Sequence, residues 1–80
     1  MKLPRDISGM ELAKALARYG YVVTRQTGSH LRLTTQTGSE HHLTIPAHSS
    51  LRPGTLNAIL GEAAQHLKRE KSDLIQELWG

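Results

Sequence analysis

His30 and Arg32 are the side chains whose types and spacing most directly suggest chemistry in this 80-residue sequence. They stand in the run Gly28-Ser29-His30-Leu31-Arg32-Leu33, a turn signal followed by alternating polar and apolar residues. Side chains on a strand alternate between faces, so Leu31 and Leu33 point into a core while His30, Arg32 and Thr34 share the other face. An imidazole titrates near neutral pH and can give or take a proton. A guanidinium stabilises a developing anion. Together they suit proton transfer at an anionic group, with Arg25 on the preceding strand as a second candidate for the cationic part.

The charge distribution agrees. Residues 1–34 hold six Lys/Arg and two Asp/Glu, net +4, whereas residues 35–80 hold four and five, net −1. A basic front half suits a polyanion, nucleic acid first. The chain has no cysteine, which excludes a disulfide framework and any Cys-based zinc site. Five histidines invite a metal reading, but no helical i, i+4 pair or short-spaced Cys/His pair supports one. Adjacent His41 and His42 point to opposite faces, so no metal and no cofactor are expected. No apolar run reaches the length of a membrane span, and no signal-peptide core opens the sequence. The expectation is a cytoplasmic protein of one domain, 1–80, with its core at about 8–67 and a tail at 68–80.

The positioning elements follow from local signals. Met1–Ile7 is a lead-in with basic Lys2 and Arg5, and Pro4 argues against helix there. Ser8 and Glu11 form a capping box, and Ile7 can staple to Leu12, opening a helix over 9–19 with Leu12, Ala15, Leu16 and Tyr19 as its apolar stripe. Gly20 stops it. Strands are predicted over 21–26, 29–34 and 40–45, the last stopped by Pro46. Pro53 opens a long amphipathic helix carrying Leu56, Ile59, Leu60, Ala63, Ala64 and Leu67. Lys68–Lys71 either breaks or continues it. Ser72 is expected to cap a short last helix, 73–78, with Leu74, Leu78 and Trp79 on its apolar side.

Symmetric closure of the loop 35–39 opposes Thr34 to Glu40, Arg32 to His42, Leu31 to Leu43 and Leu33 to His41. In the first hairpin a two-residue turn opposes Arg25 to His30, and a bulged three-residue turn opposes Gln26. The sequence leaves that choice open.

The order α-β-β-β-α is that of double-stranded RNA-binding domains. The predicted fold is α+β, a three-stranded antiparallel sheet packed on two helices, plus the C-terminal tail helix. The run Gly20-Tyr21, Arg25-Gln26, Gly28-Ser29-His30, Ile45-Pro46-x-His48 and Gly54-Thr55-Leu56-x-x-Ile59-Leu60 resembles the HicA (YcfA-like) toxin family over about residues 8–64. The resemblance implies a metal-independent mRNA interferase of a type II toxin–antitoxin pair, neutralised by a HicB-type antitoxin. The family's catalytic histidine, in its Gly-x-His motif, corresponds to His30. One departure is visible: Ala64 stands where the family has a glycine after the second helix, and Gln65–Lys71 add basic residues.

The residues fit that chemistry. RNA carries its own nucleophile, the 2′-hydroxyl, so cleavage needs only a proton acceptor, a proton donor and a cation for the crowded phosphorane. His30 with Arg32 or Arg25 is the minimum. Arg52, Gly54 and Thr55 at a helix start can hold a phosphate, although the same residues serve ordinary helix initiation. Ser29 is expected to help set the turn and to lie at the RNA surface. His42 is a candidate partner near Arg32 and an RNA contact. His41 is expected beside Leu33 as a hydrogen-bonded packing residue, His48 either as a loop-ordering residue or close to the RNA, and His66 without a partner. The competing classes are a non-catalytic RNA-binding module on the same fold and a protein–protein adaptor whose sheet is only a docking surface.

Overall fold

The computed structural model describes residues 3–80, so the expectations for Met1 and Lys2 lie outside the described residues. The elements run α1 (Gly9–Leu16) with a 3₁₀ turn (Ala17–Tyr19), β1 (Val22–Gln26), β2 (His30–Thr35), β3 (His41–Pro46), α2 (Pro53–Leu67) and α3 (Lys71–Trp79). The sheet is antiparallel in the order β1-β2-β3, which gives the expected α+β fold of double-stranded RNA-binding domains. Its inner face supplies Leu31, Leu33, Leu43 and Ile45; α1 supplies Leu12 and Leu16, α2 supplies Leu56, Ile59 and Leu60, and α3 supplies Leu74 and Ile75. No described helix is long and apolar enough to cross a membrane.

The capping box forms as read: Glu11 N–H donates to Ser8 Oγ at 3.0 Å and Ser8 N–H to Glu11 Oε1 at 2.9 Å. The apolar stripe is turned from expectation, with Ala13 buried and Ala15 half-buried. The cause is Gly9. A Cβ there would meet the Pro46 carbonyl oxygen, and its N–H donates to the His48 carbonyl at 3.0 Å, so the helix start is pressed onto the end of β3. Residues on Gly9's own stripe, Ala13 and Leu16, therefore face the core. Gly20 then turns the chain at φ 83°.

The register of the second hairpin is two residues from the expected one. Thr35 opposes His41, Thr34 opposes His42, Leu33 opposes Leu43, Arg32 opposes Thr44 and Leu31 opposes Ile45. The observed register gives both β2 leucines aliphatic partners, where the expected one set His41 against Leu33. It also buries Thr35, whose hydroxyl donates to the Tyr19 carbonyl at 3.0 Å and ties the hairpin to the end of α1. Because the slide is even, every side chain keeps its face.

The first hairpin adopts neither anticipated register. Thr27 N–H donates to the His30 carbonyl at 2.9 Å, so Thr27 opposes His30 across a Gly28-Ser29 turn. Thr27 Oγ1 accepts from the His30 and Ser29 N–H groups at 3.1 and 3.3 Å. That side-chain-to-backbone turn outcompetes a bulge at the tip. From that turn the register runs unbroken through Gln26 and Leu31 to set Arg25 opposite Arg32, and the irregularity falls beyond it, between Val23 and Arg25.

α2 breaks at Lys68, which takes a left-handed conformation at φ 56°. Lys68 N–H donates to Gln65 O and Arg69 N–H to Ala64 O, a Schellman stop. α3 restarts at Lys71 with Glu70 at its N-cap, so Ser72 lies inside the first turn and does not cap it. The early restart follows from that sharp stop, and Leu74 N–H bonds to Glu70 O at 3.0 Å. Leu74 and Ile75 are buried, with Leu78 and Trp79 packed at the margin.

Candidate functional site

β2 alternates as its sequence dictates, with Leu31, Leu33 and Thr35 buried and His30 and Arg32 exposed. His30 begins the strand, held by the Thr27 turn. Its Nδ1 lies 3.1 Å from Ser29 Oγ, and among the described residues its Nε2 has no protein partner. Ser29 thus touches the imidazole directly, beyond its expected part in the turn.

His30 lines an open groove of ≈ 620 Å³ between the end of the sheet and α2. Thr44 and Pro46 come from β3, and Arg52, Gly54, Thr55, Ala58, Ile59 and Glu62 from the helix and its start. The start of α2 is open to an anion. Its N-cap is Arg52, no side chain caps it, and Pro53 occupies the first turn. The first N–H groups of a helix have no intrahelical partner, so Gly54 and Thr55 present theirs beside the Arg52 cation. A Cβ at Gly54 would stand in open space, so protein packing does not require glycine there.

The structure brings His30, Ser29, Arg52, Gly54 and Thr55 together. Arg25 and Arg32 are exposed and directly opposed on the outer face of the sheet. Like charges so placed repel, and a bound anion relieves the repulsion.

His42 is not where it was expected. It opposes Thr34, two positions further from His30 than Arg32, and its ring is held by Thr34 Oγ1 at 2.9 Å and Glu40 Oε2 at 2.8 Å. The His42 hydrogen bond, then that of Gln36, holds the Glu40 carboxyl below its usual range. Four strand positions separate the two histidines along β2, about 13 Å, too far to share one proton-transfer event.

His41 is half-buried as a hydrogen-bonded packing residue, but beside Thr35 and not Leu33. Its Nδ1 lies 2.8 Å from Tyr21 Oη. Burial, then the neighbouring His66, lowers its pKa. Burial, then the charge of Glu62, pushes the Tyr21 hydroxyl up to about 12. His66, expected to be unpartnered, stacks on His41 with centroids 4.3 Å apart, and its Nε2 donates to the Thr37 carbonyl at 2.9 Å. The His48 side chain is exposed; its backbone carbonyl orders the loop against Gly9.

One role, that of Thr27 in the turn, and one residue, Glu62, escaped the sequence reading. Thr27 is the hinge of the His30 turn, and its signal was a threonine two and three residues before the N–H groups it accepts. Glu62 lines the groove through its place on the Thr55–Ala58 face of α2, a neighbourhood that depends on how the helix docks. Among the described residues no group of three or more histidine or carboxylate side chains stands close enough to hold a metal ion.

The groove therefore offers an imidazole with a free nitrogen, a guanidinium and two open N–H donors. That set can bind a phosphate and move a proton beside it. A family model described as the HicA toxin of bacterial toxin–antitoxin matches residues 9–65, a span that takes in every groove residue and stops before α3. No curated protein and no solved structure matches the chain.

Proposed function

The chain belongs to the HicA toxin family, the toxins of bacterial toxin–antitoxin pairs, and from that premise we propose that it is a metal-independent endoribonuclease that cleaves mRNA in the cytoplasm. The observation that carries the reading is one groove shared by His30 and the anion-receptive start of α2. In this reading a phosphodiester sits against the Gly54 and Thr55 N–H groups and the Arg52 guanidinium. The adjacent 2′-hydroxyl attacks the phosphorus, the P–O5′ bond breaks, and His30 transfers one of the two protons involved. Arg52 and the helix N–H groups offset the charge of the phosphorane. Ser29 orients the imidazole through Nδ1 and leaves Nε2 for the substrate. Arg25 and Arg32 hold flanking phosphates, and His42 stands at the margin of the same surface. The antitoxin, of HicB type, neutralises the toxin by covering this face.

The test is cleavage of a defined transcript by pure protein in EDTA. Wild type is expected to cleave and His30→Ala to lose at least about 100-fold, the usual size of one general acid–base contribution. RNA that is retained by both proteins but cut by neither would make the chain a binding module. Retention is expected to weaken steeply as salt rises, since phosphate contacts release counterions. RNA ignored at every salt concentration would leave the sheet as a protein-docking surface.

A further inference from the structure

Glu62 stands where two hollows meet. The His30 groove ends on it, and a second hollow of ≈ 390 Å³ continues past it, lined by His41, His42, Gln65 and His66. The neighbours of Glu62 are committed elsewhere. His42 is held by Thr34 and Glu40, His41 by Tyr21, and His66 by the Thr37 carbonyl. Among the described residues Glu62 itself makes no hydrogen bond and no ion pair. It is a free, exposed carboxylate at the end of a groove whose other end attracts phosphate.

A carboxylate repels phosphate, so the backbone of an RNA strand does not run over Glu62. Thr55 and Glu62 are seven residues apart on one helix face, about 10 Å along the axis. That is the span from a phosphate to the hydrogen-bonding edge of a nearby base. Single-stranded RNA is commonly read in this way, by groups that meet the Watson–Crick edge of a splayed base.

The acceptor pair of the carboxylate selects the base. A carboxylate only accepts, through two parallel oxygens. Guanine presents two donors side by side, N1–H and the N2 amine. Adenine and cytosine present one amine beside an acceptor, and uracil one N–H between two acceptors, so each sets a lone pair against a carboxylate oxygen. Gln65 lies on the same face of α2, three residues on, and its amide can donate to guanine O6. The stacked His41 and His66 rings form a wall that fixes the shape of the hollow.

We propose that Glu62 and Gln65 form a guanine-reading subsite, which makes the substrate a single strand with guanine beside the cleaved bond. The proposal rests on the nuclease reading of the groove.

The experiment maps cleavage sites on a transcript of mixed sequence with wild type and Glu62→Gln, after matched thermal melting shows that both are folded. Wild type is expected to favour bonds flanked by guanine. In Glu62→Gln the ratio of cleavage at guanine to cleavage at other bases is expected to fall about tenfold, the size of one bidentate base contact. Inosine, which lacks the N2 amine, is expected to be a poorer substrate than guanosine for wild type only. A wild type without guanine preference, or an unchanged site pattern in Glu62→Gln, overturns the subsite. If wild type cuts nothing, the nuclease reading falls on its own. The subsite is then decided by retention of guanine-containing against inosine-containing oligonucleotides: weaker retention of inosine supports it, and equal retention overturns it.

Discussion

His30 is exposed on a strand that holds its place without it. Leu31 and Leu33 on either side of Arg32 are fully buried, and the turn before His30 is tied by Thr27 through backbone N–H groups that any side chain at position 30 would supply. His30→Ala therefore removes an exposed imidazole and leaves packing alone. Exposed substitutions of this kind usually stay within about 0.5 kcal/mol, which for a domain of this size is a few degrees of Tm. The expected result in a calorimetric melt is a Tm within about 4 °C of wild type. A larger drop would make the histidine a structural residue and weaken the catalytic role proposed for it.

Among the elements, α2 shows how a local departure is absorbed. With Ala64 where the resemblance led to the expectation of a glycine, the helix runs on to Leu67, and the left-handed stop falls on Lys68 at φ 56°. A residue with a Cβ pays about 1 kcal/mol or more in that conformation, and glycine does not. Lys68→Gly is expected to raise stability by about 0.5–1 kcal/mol in urea unfolding, after the greater freedom of glycine in the unfolded chain is subtracted. A loss of stability would mean that the helix does not stop there in solution. The same stop sets where α3 can begin.

At the scale of the whole molecule, α3 is closed onto the 3₁₀ turn that follows α1 by a polar clasp. The Arg69 guanidinium makes a two-pronged pair with the Glu77 carboxylate, the Tyr19 hydroxyl donates to Glu77 Oε1, and Arg18 donates to the Glu77 carbonyl at 2.7 Å. The Arg69 hydrogen bond, then that of Tyr19, holds the Glu77 carboxyl down at about 2. A carboxyl depressed on folding stabilises the native state above its unfolded pKa, and that contribution is lost as pH falls toward the folded value. The clasp is therefore expected to be intact near neutrality and to weaken from about pH 4.5 toward 2. Trp79, the only tryptophan, sits in α3 and reports the change by fluorescence. Glu77→Gln is expected to show the low-pH spectrum already at neutral pH, and an unchanged acid transition in that variant would remove Glu77 as its cause.

The sequence by itself determined the element order, the capping box, the start of α2 at Pro53, and which face of β2 carries His30 and Arg32. Each rests on chemistry within a few residues: a cap, a ring-locked φ, the two-residue period of a strand. It did not determine the registers, the docking of α2, or the partners of His41, His42 and His66. A slide of two residues leaves the local pattern unchanged, so only the packing of Ile45 against Leu31 and the burial of the Thr35 hydroxyl could choose between registers. For the same reason Glu62 was invisible as a groove residue. Its position on α2 follows from periodicity, but which strand faces that side of the helix is decided by how Gly9, β3 and α2 close around one core.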